Sequence, residues 1–221
     1  MSEVIRRAPE GVDVALLLEG TFPYVAGGVS SWVNQIIRAF PDLRFGVVFI
    51  GSRRSDYGDM RYALPDNVVH LETHYLHDDL GTVATAHERK RGLPGDGKAF
   101  AQMAALHDAF RRGADPDVLS LFGEACRDIA PGGRIDLEAF LRSEASWEVV
   151  TDRYRTYCSD PSFVDYFWTV RIMHQPLWQL ARIARTLVPA RVYHSVSTGY
   201  AGFLGALLAQ STGRPLVLSE H

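Results

Sequence analysis

The sequence predicts an α/β fold: a doubly wound parallel sheet carrying a large helical insertion. Three observations lead there. Short, nearly continuous apolar runs lie at residues 12–18, 44–50 and 67–71, with a helical pattern between the first two. From about 81 to 187 only helical periodicity is found. Strand–helix alternation then returns at 191–194, 200–209 and 216–218. Strands separated by helices make parallel sheets, because each crossover must return the chain to the same edge.

The elements follow in order. Residues 12–18 read as a strand buried on both faces, interrupted near its start by Asp13. Residues 19–28 hold Gly, Thr and Pro and read as a loop. A helix follows, with Ser30 or Ser31 as its expected cap. Trp32, Val33, Ile36, Ile37 and Phe40 recur at helical spacing, and Pro41 ends the helix. Residues 44–50 form a second strand closed by Gly51, and 67–71 a third opened by Pro65-Asp66. The insertion divides into helical patterns at 99–110, 117–129, 136–141, 147–157, 163–173 and 177–187, with Pro176 at a helix start. Residues 89–98, charged and rich in glycine, are expected as an exposed loop. The whole chain, 1–221, is expected to be one domain with its insertion.

Composition bounds the function. The chain has 221 residues, is 47% hydrophobic and 22% charged, and carries a net charge of −3. Those values are globular, and a mildly acidic surface is a poor partner for nucleic acid. The two cysteines, Cys126 and Cys158, are far apart, which argues against a disulfide framework or a cysteine zinc site. They are expected as buried apolar groups. No apolar run is long enough for a bilayer, and the N-terminus lacks the apolar centre of a signal peptide. The expected location is cytoplasmic.

In doubly wound sheets ligands bind at the carboxyl ends of the strands. Three polar loops end strands here: Glu19 to Gly28, His194 to Gly199, and Ser219 to His221. Gly27-Gly28-Val29-Ser30 opens the first helix, where glycines admit a ligand to the backbone and free N–H groups attract phosphate. This pattern is neither G-x-G-x-x-G nor the P-loop, and both are absent. Two glycines that only turn the chain are an equal reading from this motif alone.

The run from Leu16 to Val33, Leu-Leu-Leu-Glu-Gly-Thr-Phe-Pro-Tyr-Val-Ala-Gly-Gly-Val-Ser-Ser-Trp-Val, resembles the start of the Pel-type exopolysaccharide glycosyltransferases. Those are retaining enzymes of glycosyltransferase family 4 with the two-domain GT-B architecture. Tyr193-His194-Ser195-Val196-Ser197-Thr198-Gly199-Tyr200-Ala201-Gly202 and Leu216-Val217-Leu218-Ser219-Glu220-His221 resemble two further loops of that family, in order. The resemblance implies a Rossmann-like N-terminal domain that transfers a hexose from a nucleotide sugar, UDP-glucose, to a growing polysaccharide. It implies that Gly27, Gly28, Val29 and Ser30 meet the donor diphosphate and that His221 is the catalytic group at the donor sugar. Glu19, Tyr24, His194, Ser195 and Thr198 would be acceptor or sugar contacts. No metal or other cofactor is expected. The implied partners are a C-terminal nucleotide-sugar domain, which residues 1–221 do not supply, and a membrane-bound synthase complex. The alternative is a non-catalytic sugar- or partner-binding module of such a complex. Gly28→Val is expected to obstruct the diphosphate and to strain a backbone that suits glycine.

Two further patterns have plainer readings. His70, His74 and His77 have H-x3-H spacing followed by Asp78, but the run leaves a strand, so a solvated loop is expected rather than a metal site. Trp147, Tyr154, Tyr157, Phe163, Tyr166, Phe167, Trp168 and Trp178 are expected as the core of the insertion rather than a sugar-stacking platform.

Overall fold

The computed structural model describes residues 2–78, 93–113, 116–159 and 162–220. It divides into two compact units, residues 1–85 with 183–221, and residues 86–182.

The first unit is a six-stranded sheet. Its strands are β1 (Ser2–Arg6), β2 (Val12–Glu19), β3 (Phe45–Gly51), β4 (Val68–Tyr75), β5 (Ala190–Ser195) and β6 (Leu216–Leu218). The order across the sheet is β1-β4-β3-β2-β5-β6. All neighbours are parallel except β1, which runs antiparallel to β4. From β2 the chain winds outward first through β3 and β4, then through β5 and β6. β2 and β5 therefore flank the point where the winding reverses. This is the Rossmann-like, doubly wound arrangement that the alternation of strands and helices predicts.

Helix α1 (Gly28–Ala39) packs on one face of the sheet. Val33 and Ile37 join Leu16, Leu18, Phe45, Val47 and Leu71 in a closed apolar cluster. Helix α8 (Tyr200–Thr212) covers the other face. Gly205 lets it approach, since a Cβ there would lie 2.6 Å from Leu216 and 3.3 Å from Leu17. Asn67 closes the end of α1: its amide nitrogen donates to the carbonyls of Ile37 (2.8 Å), Phe40 (3.1 Å) and Leu43 (3.3 Å). Asp13, the polar break in the first apolar run, is explained at the amino end of β2. Its carboxylate accepts the Arg44 N–H at 2.9 Å and faces Arg191 at 3.3 Å, tying β2 to the entrances of β3 and β5. The Arg44 hydrogen bond leads in holding its carboxyl below the usual range.

The second unit is helical: α2 (Gly97–Arg112), α3 (Val118–Ile129), α4 (Leu137–Arg142), α5 (Glu144–Tyr157), α6 (Phe163–His174), and most of α7 (Pro176–Thr186). Its core gathers Ala99, Phe100, Ile135, Phe140 and Ala145, with Trp178 packed against them. The Trp178 indole donates to the Ile135 carbonyl at 2.7 Å, and its ring stacks 4.7 Å from Phe140. Buried Arg171 lies over the rings of Phe140 and Phe167 and donates to the Phe140 carbonyl. Asp128, also buried, takes both arms of Arg134 at 2.7 and 2.8 Å.

Four expectations change. α1 begins at Gly28 with Gly27 as its cap residue, so Ser30 and Ser31 lie inside its first turn and cap nothing. β4 runs on to Tyr75, so His70 and His74 lie in a strand with Glu72 between them on the same face; all three are buried and none is in a solvated loop. The insertion's aromatic residues are not all core: Trp147 and Trp168 are 50% and 57% exposed. The cysteines are only half-buried, and burial pushes the Cys126 thiol up to about 11. Of the expected loop 89–98, residues 89–92 lie outside the described residues; Asp96 in the remainder caps α2.

Candidate functional site

β2 ends at Glu19, beside the ends of β3 and β5. Residues 20–27 then cross the rim to α1. This segment carries cis Phe22-Pro23 and buries Phe22 in the α1 cluster. Anchored there, it presents Gly27 and Gly28 at the surface.

The start of α1 is open. Gly27 is extended, with φ 171° and ψ 177°, and no side chain caps the helix. A Cβ at either Gly27 or Gly28 would meet nothing within 4 Å. Neither lies in the left-handed region that favours glycine, so Gly28→Val is not expected to strain the backbone; it would act only by filling space. Val29 packs against the core and Ser30 is buried, so both offer the rim their backbone N–H groups rather than their side chains. Beside this helix end stands Tyr62, which no sequence pattern signalled. Its hydroxyl lies 3.5 Å from the Gly27 nitrogen and 3.2 Å from the Ser31 hydroxyl. The helix dipole adds positive character where these groups converge.

The start of α8 is different. Gly199 is its cap residue, again with no side-chain cap of its own. Here the Glu19 carboxylate reaches across the rim. Its Oε2 accepts the Ala201 N–H at 3.1 Å and the Ser197 hydroxyl at 3.2 Å. The Tyr200 hydroxyl is pushed up by burial and then by the Glu19 charge.

The other sequence-predicted residues spread along the same rim. His194 pairs with Leu16 in register and so faces α1, where Trp32 meets it edge-on at 5.9 Å. Its Nε2 lies 2.9 Å from the Ser219 hydroxyl at the exit of β6. Ser195 is fully buried, and its hydroxyl donates to the Ser197 carbonyl at 2.7 Å, shaping the loop instead of reaching the surface. Thr198 is exposed. Tyr24 is half-buried at the end of β3, its ring 4.7 Å from Phe49. Its hydroxyl is pushed up to about 12, by burial first and Tyr75 second. His221 lies outside the described residues. Trp32, Ser197 and Tyr62 are additions. Trp32 and Ser197 were legible only as a helix-core residue and a loop residue.

Away from the rim, the sheet holds a second polar group. On β4, Glu72 sits between His70 and His74, each with Nε2 3.6 Å from one carboxylate oxygen. The Ala8 N–H donates to His70 Nδ1 at 3.3 Å, so Nε2 is the ring nitrogen turned toward Glu72. Burial alone would push the Glu72 carboxyl up, but the two imidazoles outweigh it and hold it at about 2. Among the described residues, no group of three or more His, Cys, Asp or Glu side chains is arranged to hold a metal ion.

Fold and rim together define a doubly wound α/β domain whose winding reverses between β2 and β5, the place where sheets of this class bind their ligands. The chain belongs to the family described as domain of unknown function DUF3492, which it matches over residues 12–221. Neither a curated protein nor a solved structure matches it. No helix among the described residues is long and apolar enough to cross a membrane.

Proposed function

We propose that this chain is the acceptor-side, N-terminal domain of a retaining, nucleotide-sugar-dependent glycosyltransferase acting in Pel-type extracellular polysaccharide synthesis. The observation that carries the reading is the open start of α1 at the reversal point of the sheet. It offers N–H groups, a positive helix end and space beside two glycines. A donor diphosphate seated there would have the charge that builds on the leaving nucleotide offset by fixed dipoles. The donor in this reading is UDP-glucose, taken from the resemblance of the three rim loops. His221 would stand at the donor sugar, and His194, held by Ser219 and Trp32, would line the acceptor side with Thr198 and Tyr24. A second α/β domain would hold most of the nucleotide, so this chain by itself is expected to bind UDP-glucose weakly and to transfer nothing.

The test is an amide-resolved NMR titration of the chain with UDP-glucose. The amides of residues 27–30 are expected to shift at millimolar donor, and Gly28→Val to abolish that response while the protein stays folded. Unmoved amides at 27–30, or a full response in Gly28→Val, would refute the reading.

A further inference from the structure

Two helices begin at this rim, one on each face of the sheet, and both have glycine as the cap residue. By the helix dipole alone, α1 and α8 are equal candidates for an anion. We infer that Glu19 is an internal anion that seals α8 and so makes α1 the single phosphate seat at the reversal point. The part about α1 rests on the function proposed above; the sealing of α8 stands apart from it.

The geometry is specific. Glu19 is the last residue of β2, and its parity in the strand, with Ala15 and Leu17, turns it toward the α8 face. One oxygen satisfies the Ala201 N–H, a donor in the first turn that α8 cannot satisfy itself, and also takes the Ser197 hydroxyl. The approach requires glycine at 199. A Cβ there would stand 2.6 Å from one carboxylate oxygen and 3.1 Å from the other. Gly27, in the matching position before α1, has nothing within 4 Å of such a Cβ. The same residue type thus serves opposite ends: at α8 it admits the protein's own carboxylate, and at α1 it leaves room for someone else's phosphate. Glu19 brings the protein's own carboxylate to the α8 side of the rim, so an incoming diphosphate meets an acidic group there and open N–H groups on the α1 side. It acts as a specificity-determining residue that positions the donor through exclusion.

The experiment is an amide-resolved NMR titration of the ¹⁵N-labelled chain with inorganic pyrophosphate, in wild type, Glu19→Ala, Glu19→Gln and Gly199→Ala. Thermal melts confirm that each variant is folded. In wild type, amides 27–30 are expected to respond while Tyr200 and Ala201 stay silent. In Glu19→Ala, Tyr200 and Ala201 should respond as well, at least tenfold more tightly than any wild-type response there. Glu19→Gln keeps an acceptor oxygen in place and should leave α8 closed. Gly199→Ala displaces the carboxylate without changing the net charge, so it should open α8 in part and separates sealing from a general loss of repulsion. A wild-type response at Ala201 as strong as that at Gly28 would overturn the inference without any variant. So would silence at Ala201 in folded Glu19→Ala or in folded Gly199→Ala. Silence at 27–30 combined with a response at 200–201 in Glu19→Ala would refute the seat at α1 and leave the sealing of α8 intact.

Discussion

The helices of the two units start differently. In the helical unit, α2, α4, α5 and α6 are each closed by their own cap residue. Asp96, Asp136, Ser143 and Ser162 accept from the N–H three residues on, at 2.9, 2.6, 3.1 and 3.3 Å. In the sheet unit, α1 and α8 start at glycines that cap nothing. A local cap makes a helix end self-sufficient, and a glycine leaves its donors to be satisfied from elsewhere. Four helix starts of the helical unit thus serve stability, while α3 begins at Asp117 without such a bond. The sheet unit leaves its two available, one to Glu19 and one to a ligand.

The sharpest way to break this contrast is to cap α1. Gly27→Asp places a carboxylate at the open N–H groups of the first turn of α1, on a cap residue whose backbone is already extended. Pyrophosphate binding at residues 27–30 should fall at least tenfold, while the melting temperature stays level or rises by a few degrees. Unchanged binding would show that the helix end is not the seat.

Glu72 sharpens the contrast from another side, as a carboxylate held by side chains with no helix end involved. Its folded pKa of about 2 lies below the ordinary 4.5, so its contribution is complete above about pH 4.5 and is lost as pH falls through 2. That contribution is on the order of 3 kcal/mol. Urea unfolding at pH 6 and pH 3 should show a smaller stability loss in Glu72→Gln than in wild type. Equal losses would mean that the imidazoles do not hold the carboxylate in its charged form.

Removing a local cap should cost less. Asp96→Ala is expected to destabilise the helical unit by about 1 kcal/mol, read by urea unfolding monitored in the tryptophan-bearing helices, and to leave pyrophosphate binding untouched. Ser162→Ala, whose bond is longer, should cost about half as much. A change in anion binding in either would break the division of roles.

The same contrast governs what the sequence reveals. Apolar runs and helical periodicity located β2, β3, β5, β6 and the helices of the insertion within a few residues, because burial patterns are local. β1 went unread: Val4 and Ile5 are its only apolar residues, both exposed, and its strand character comes from pairing with β4. The apolar run at 67–71 covers only the start of β4, because His70, Glu72 and His74 look like a polar exit in sequence, although they are buried beside one another. At the rim, the glycines at 27 and 28 were legible as an opening. The partner of Glu19 was not, since Ser197 and Ala201 lie far along the chain and meet it only across the reversal of the sheet.

β1 also has a bearing on how the chain is assembled. It precedes the residues matched by the family, 12–221, and pairs in reverse with residues 71–74. During synthesis it must wait for β4 to emerge before it has anything to pair with. Until it docks, β4 is an open edge able to recruit a second unfinished chain. Once docked, it turns the bare edge into one bearing Glu3, Arg6 and Arg7, while the Ala8 N–H secures His70 from the same segment. A chain begun at residue 12 should keep the rim around α1 and lose this guard, self-associating in light-scattering measurements at concentrations where residues 1–221 stay monodisperse.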